Sequence, residues 1–172
     1  PRAKPAFTRS EYGRRLTKTR AAMAAVGLDA LFVQDPSNMT WLTGYEGWSF
    51  YVHQGVLVLL DADPIWWGRN QDANGARRTV WMSDDRIHGY ADNYVQSTER
   101  HPMQDLAQLR LESGRGQARI GVELDNYYYS AKAHLTLAAE LPQATLEDAN
   151  ALVNWQRAVK SSEEIALMRK AA

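Results

Sequence analysis

The stretch "GVLVLLDADPIWWGR" (residues 55–69) predicts the antiparallel part of a β-sheet. Its opening glycine is followed by five apolar residues, a pattern typical of a strand buried on both faces. The turn residues "DADP" (61–64) then lead to "IWWGR" (65–69), which is predicted to pair back as a hairpin. Because side chains alternate across a strand, one of Trp66 and Trp67 should point inward and the other outward. An outward ring would be covered by another domain, a second subunit or a ligand, or else by core packing within this domain.

Strand and helix patterns alternate along the rest of the chain. They predict an α/β fold in which helices flank a mixed β-sheet. Further strands are predicted at residues 30–33, 85–91, 118–125 and 144–149. Helices are predicted from a cap at Thr8 or Ser10 to about Val26, around 38–45, within 70–82, from 103 to near Gly114, and at 129–141 and 150–159.

The composition is that of an ordinary folded domain. Of the 172 residues, 45% are hydrophobic and 23% are charged, and 20 basic residues balance 20 acidic ones. A neutral chain without a basic stripe argues against a nucleic-acid partner, and no apolar stretch approaches the length that spans a membrane. The chain has no cysteine, so disulfides and thiolate chemistry are excluded and a reducing, cytoplasmic setting fits.

The closing segment "KSSEEIALMRKAA" (160–172) reads as the beginning of a helix. A serine cap is followed by glutamates in the first turn, where the helix dipole favours negative charge. No glycine or proline then ends the helix. Two interpretations are open: the natural protein continues into a further domain, or this helix docks on the same domain.

Sequence motifs for catalysis are missing. There is no phosphate-binding loop, dinucleotide-binding glycine pattern, His-Glu-x-x-His or Gly-x-Ser-x-Gly. The four histidines lack the spacing of metal ligands, so no metal site is predicted. His53 and His88 are the better candidates for a binding role, because each lies near a strand end, where α/β folds place ligands. His101 and His134 are expected to have structural roles.

Three other clusters have both a structural and a functional interpretation. The pair Asp84–Asp85 is expected to form a turn or helix cap rather than a catalytic carboxylate pair. Arg77 and Arg78 are expected on a solvated helix face, with an anion or partner contact as the alternative. The tyrosines of "NYYYSAK" (126–132) are expected to pack or to edge the sheet rather than to stack on nucleic acid.

The loop "GYEGWSFYVHQ" (44–54) is unusually rich in aromatic side chains. Tyr45 is expected to pack internally. Trp48, Phe50 and Tyr51 lie directly before the buried strand, and this position favours a binding role for them.

The order of elements resembles the N-terminal domain of the creatinase/prolidase/aminopeptidase P family. The front of that domain is matched by "AAVGLDALFVQDPSNMTWLTGY" (24–45), the aromatic loop and "GVLVLLDADP" (55–64). The segment "NWQRAVKSSEEIALMRKAA" (154–172) is similar to the family's junction with its catalytic domain. The junction pattern is matched by Arg157, Lys160, Ser161, Glu164, Ile165, Met168 and Arg169.

This resemblance implies a domain organisation. Residues 1–158 would form a creatinase-like N-terminal domain, and residues 159–172 would begin the linker and helix into a C-terminal "pita-bread" catalytic domain. In the family, the N-terminal domain of one subunit covers the active site of the other subunit in a homodimer. The chain alone is therefore expected to have no catalytic residues and no cofactor, and any divalent metal would belong to the catalytic domain.

The resemblance also bears on the substrate. Within the family, the aromatic loop and residues 66–81 most resemble ectoine-type, creatinase-like hydrolases, which act on a C–N bond of a small zwitterion. In creatinase this loop supplies a phenylalanine and, two residues later, an arginine for the substrate carboxylate. Phe50 matches the phenylalanine, but Val52 occupies the arginine position, so creatine is not the expected substrate.

An aromatic wall suits a cationic amidinium, because a cation–π contact is worth roughly 0.5–2 kcal/mol per ring. The predicted substrate-binding residues are Trp48, Phe50, Tyr51, His53 and, reaching over from the next strand, Arg69. Two alternatives remain: the N-terminal domain of a metal-dependent Xaa-Pro dipeptidase or aminopeptidase that binds a dipeptide, and a free-standing binding module.

Overall fold

The computed structural model describes residues 3–112 and 117–172. Within these ranges the strands are β1 (Ala30–Val33), β2 (Gly55–Leu59), β3 (Ile65–Arg69), β4 (Ile87–Tyr90), β5 (Arg119–Val122) and β6 (Thr145–Asp148). They form one sheet in the order β4-β3-β2-β1-β5-β6. The helices are α1 (Arg9–Ala25), α2 (Pro36–Thr43), α3 (Asn70–Thr79), α4 (Pro102–Glu112), α5 (Ala131–Glu140), α6 (Leu152–Ala158) and α7 (Ser162–Ala171). This arrangement confirms the predicted α/β fold with a mixed sheet and flanking helices.

The directions of the strands bring most of their carboxyl ends to one edge of the sheet. β2 runs antiparallel to both of its neighbours, while the pairs β3–β4, β1–β5 and β5–β6 are parallel. Five strands therefore end, and β2 begins, at the same edge, which we call the carboxyl edge. Three loops meet there: residues 44–54, 91–101 and 123–130. In α/β proteins this is the edge where ligands bind.

The sheet separates two hydrophobic layers, and the adjacent tryptophans of β3 fill one each. Trp66 packs among residues of α1, α2 and α3, whereas Trp67 packs among residues of α4 and α5. Both side chains are fully buried. The indole N–H of Trp67 donates to Asp105 Oδ2 at 2.8 Å. The rings alternate as predicted, but the second ring is covered by core packing within this domain and needs no external cover.

Several element boundaries follow from specific side chains. Thr8 caps α1, since its hydroxyl accepts a hydrogen bond from the backbone N–H of Glu11. Gly27 has the left-handed φ of 71° that a helix-ending glycine adopts. β5 is shorter than the predicted strand 118–125, because the Glu123 carboxylate turns back to accept the backbone N–H groups of Gln34 (2.8 Å) and Asp35 (2.9 Å). The predicted helix end near Gly114 lies outside the described residues.

The start of α7 is anchored on this domain by a buried ionic cluster. Ser161 and Glu164 form a reciprocal capping box. The Glu164 carboxylate also accepts the indole N–H of Trp41 at 2.7 Å and lies 3.1 Å from Arg15 Nη2. Arg15 Nε in turn bonds Glu11 at 2.9 Å. Farther along α7 the apolar side chains of Ile165, Leu167 and Met168 are exposed.

None of the helices in the described part of the chain is both long and apolar enough to cross a bilayer.

Candidate functional site

The aromatic loop has one inward ring and three outward ones. Tyr45 is buried, and its hydroxyl donates to Gln54 Oε1 at 2.9 Å, so its predicted packing role is confirmed. Trp48, Phe50 and Tyr51 are 60%, 71% and 53% exposed. Fixing large rings in water gains little from burial, so these three exposed rings form the candidate binding surface of the domain.

The loop after β5 extends this surface. The Trp48 ring lies 6.0 Å from Phe50 and 6.3 Å from Tyr128, measured between ring centroids. Tyr127 packs on Tyr128 at 5.6 Å and is 90% exposed. We call these five rings, including Tyr51 at 5.3 Å from Phe50, the aromatic patch. The tyrosines at 127–129 were expected to pack or edge the sheet: Tyr129 is buried in the core as expected, whereas Tyr127 and Tyr128 contribute to the patch.

Two shallow clefts adjoin the patch at the carboxyl edge. The first holds about 170 Å³, and its lining includes Gln34, Phe50, Tyr51, His53 and Tyr128. The second holds about 150 Å³ between the aromatic loop and the loop 91–101. Both are smaller than the roughly 300–1,000 Å³ typical of small-molecule sites. A ligand bound here would therefore need a second surface to enclose it.

The second cleft shares one wall with the first. Tyr51, Val52 and His53 line both clefts, and Tyr94, Arg100 and His101 complete the far side of the second. We call the two clefts on either side of these three residues, taken together, the furrow.

His53 sits in the middle of this furrow as a neutral ring. Burial, and secondarily the nearby ring of His101, lower the pKa of His53 to about 4. The two imidazole centroids are 5.0 Å apart. At neutral pH His53 is therefore uncharged. Its ring hydrogen-bonds the backbone of Tyr128, and its Nδ1 lies 3.5 Å from Gln34 Nε2.

Arg69 is held apart from the other predicted residues. Its guanidinium bonds both carboxylate oxygens of Asp92, at 2.8 and 3.3 Å. This hydrogen bond raises the pKa of Arg69, and Tyr51 adds to the same direction. Arg69 does not line either cleft. The structure thus brings Phe50, Tyr51 and His53 together in one cleft and places Trp48 on the adjoining patch. Arg69 lies outside both clefts, and its charge is paired with that of Asp92.

The remaining sequence candidates have structural partners. His88 Nε2 is 2.9 Å from Asp105 Oδ2, which also accepts from Trp67, so His88 belongs to the packing of α4 against the sheet. Asp84 and Asp85 lie in a short 3₁₀ turn, as the turn interpretation predicted. Arg77 donates to Asn74 on its own helix at 3.3 Å.

A larger groove of about 340 Å³ lies elsewhere, between residues 3–7 and the start of α7. Two of the charged groups that line it, Arg15 and Glu164, are already paired with each other. The groove is therefore part of the anchoring of α7 and offers those charges to no ligand. Among the described residues, no three histidine or acidic side chains come close enough together to hold a metal ion.

The sheet, its carboxyl-edge furrow and the aromatic patch define an α/β domain with a candidate binding surface. The chain belongs to the creatinase/prolidase N-terminal domain family, whose model matches residues 15–159. The recognition made from the sequence motifs is therefore confirmed.

Individual relatives agree with this assignment. The chain is 57% identical over 166 residues to an ectoine hydrolase of Halomonas elongata, and 43% identical to an uncharacterized hydrolase/peptidase of Sinorhizobium fredii. Each match covers 96% of this chain but only 42% of the relative. The chain thus spans less than half the length of these two proteins.

Solved structures share the fold at low identity. The dipeptidase PepE from Mycobacterium ulcerans superimposes with a TM-score of 0.71 at 20% identity, over 96% of this chain and 41% of that one. The N-terminal domain of the cytoplasmic peptidase PepQ from Mycobacterium tuberculosis H37Rv gives a TM-score of 0.63 at 22% identity, covering 84% of this chain and 98% of that chain. At such identities these likenesses speak for the fold alone.

Proposed function

We propose that this chain is the substrate-capping and dimerisation domain of a creatinase-like hydrolase that opens the amidine ring of ectoine or a similar small zwitterion. In the homodimer, the aromatic patch and furrow of one subunit close over the catalytic domain of the other. The acid, base and any divalent metal for the reaction belong to that catalytic domain, and the present chain contributes binding and enclosure.

One observation carries the proposal: the exposed aromatic patch borders clefts too small to enclose a ligand by themselves. A cap has this design, because it supplies one wall of a site and leaves the other to its partner. Trp48, Phe50 and Tyr51 offer π faces to the delocalised cation of an amidinium. Neutral His53 lines the furrow beside them without competing for the positive charge.

The 57% identity to an ectoine hydrolase supports the choice of substrate class. The experiment is an assay of the full-length protein with ectoine, followed by chromatographic detection of the ring-opened N-acetylated diamino acid. We expect hydrolysis by the full-length protein and none by residues 1–172 alone. Xaa-Pro dipeptides serve as the competing substrates.

Two outcomes would contradict the proposal. Cleavage of Xaa-Pro dipeptides only with added divalent metal, with ectoine left intact, would assign the chain to a peptidase instead. Binding of a ligand by residues 1–172 with the same affinity as the full-length protein would indicate a self-sufficient binding module.

A further inference from the structure

The second cleft contains a charged group that the substrate-binding residues named so far do not include. Arg100 lines this cleft together with Tyr51, His53 and His101. Its side chain is exposed. No carboxylate within residues 3–110 and 117–172 lies at ion-pair distance from its guanidinium. The cleft thus has a cation on its wall whose charge is not neutralised by a described neighbour.

Arg100 is more available to an anion than Arg69 is. The guanidinium of Arg69 is occupied by both oxygens of Asp92. To bind a substrate carboxylate, Arg69 would have to give up a charge-assisted pair of hydrogen bonds. Arg100 has no such carboxylate partner within residues 3–110 and 117–172.

His101 offers a second donor beside Arg100. Its Nδ1 accepts the backbone N–H of Met103 at 3.1 Å, so a neutral ring carries its proton on Nε2. Because burial and the neighbouring Lys132 both lower the pKa of His101, the neutral form is the one present at neutral pH. An Nε2–H group of this kind can hydrogen-bond a carboxylate oxygen.

Two basic groups, Arg100 and Lys132, lie near His101 at the second cleft. Lys132 acts on His101, and His101 acts on His53, in each case disfavouring the protonated ring. The positive charges of Arg100 and Lys132 at this end of the furrow are complementary to an anion. The aromatic patch on the other side of Tyr51 is complementary to a cation. Tyr51 therefore lies between the basic groups of the second cleft and the other rings of the patch.

We propose that Arg100, with the imidazole N–H of His101, forms the subsite for the carboxylate of the zwitterionic substrate, while the aromatic patch receives its amidinium. This assignment rests on the proposed function and extends it, because it names the residues that would select a carboxylate-bearing substrate over an uncharged or purely cationic one.

The test changes the enzyme and the substrate in parallel, in the full-length protein. Ectoine and the same cyclic amidine without its carboxylate are compared as substrates of the wild-type protein and of Arg100→Ala and Arg100→Lys. Arg78→Ala removes an exposed arginine from α3, outside both clefts, and is the matched control. Because the Arg100 side chain is exposed, thermal denaturation of its variants should match that of the wild type.

For Arg100→Ala we expect the KM for ectoine to rise roughly 10–100-fold, the range of a lost charge-assisted hydrogen bond, with a smaller change in kcat. Arg100→Lys should recover part of the loss, and Arg78→Ala should behave as wild type. The KM for the amidine without a carboxylate should be the same in the wild type and in Arg100→Ala.

The experiment distinguishes failure of the carboxylate subsite from failure of the proposed function. If the wild type hydrolyses ectoine and Arg100→Ala has an unchanged KM, the carboxylate subsite is wrong and the capping function stands. An equal loss on both substrates would likewise overturn the subsite, since the carboxylate would not be what Arg100 binds. If the wild type does not hydrolyse ectoine at all, the proposed function fails and this inference fails with it.

Discussion

Trp48 and Phe50 expose most of their ring surface next to the furrow, so each can be removed at little cost to the fold. In the full-length protein, Trp48→Ala and Phe50→Ala are each expected to raise the KM for ectoine about 2–30-fold, the equivalent of one cation–π contact. The measurement is steady-state kinetics. Leu135→Ala, which trims an exposed apolar side chain on α5, is the control. Unchanged kinetics in both ring variants would remove the aromatic loop from the active site.

The lowered pKa of His53 should make the free energy of unfolding depend on pH. Its pKa is lowered to about 4 in the folded protein, chiefly by burial, whereas an unfolded histidine titrates near 6.5. Between these values the unfolded state binds more protons, so the free energy of unfolding should fall as the pH is lowered from about 6.5 to about 4. Urea denaturation across this range measures the decline, which should be shallower in His53→Gln. An NMR titration that places the His53 midpoint near 6.5 would contradict the prediction.

At the residue scale, the sequence predicted the part of the site that is local in the chain. Phe50, Tyr51 and His53 fall in one ring-rich loop before a strand, and they do line one cleft. Tyr128 and Arg100 come from loops that only the strand order brings to the same edge. The pairing of Arg69 with Asp92 likewise depends on β3 lying beside β4. These long-range neighbours leave no periodic signal in the sequence.

At the scale of elements, the attachment of α7 depends on Glu164. Its carboxylate is buried, which opposes ionisation, yet the bonds from Ser161, Trp41 and Arg15 lower its pKa overall. Glu164→Gln should therefore cost about 1–3 kcal/mol of unfolding free energy, because Arg15 loses a charged partner in a buried place. Urea denaturation of the 172-residue chain measures this.

Glu163→Gln is the matched control for that experiment. Glu163 bonds Thr8 at the surface, where such contacts contribute about 1 kcal/mol or less. Equal losses in the two variants would show that the buried cluster does not hold α7.

Glu11 belongs to the same cluster, and its pKa is lowered to about 2, mainly by Arg14. The cluster should therefore lose its stabilising effect as the pH falls from about 4.5 toward 2.

Elements with local signals were predicted well. The Thr8 cap, Gly27 and the serine cap of α7 are short-range patterns, and all three lie where the sequence indicated. The length of β5 was not predictable in this way. It ends at Val122 because the Glu123 side chain bonds the backbone after β1, a contact between segments about 90 residues apart.

At the scale of the whole molecule, the capping role predicts where the surface changes on assembly. In the full-length dimer, residues 44–52 and 126–130 should exchange backbone hydrogens more slowly than in the isolated 172-residue chain, because another surface covers the patch. Hydrogen-exchange mass spectrometry measures the difference. The short turn at 84–86, at the opposite end of β4, should exchange equally in both forms. Equal exchange at the patch would contradict the capping role.

The two tryptophans of β3 have a consequence for how this domain unfolds. Neighbouring indoles on one strand fill the two layers, so a loosening on one side of the sheet moves the backbone that holds the ring on the other side. We therefore expect the two layers to unfold together. Heating should therefore give one cooperative transition, with indole fluorescence and backbone circular dichroism changing at the same temperature.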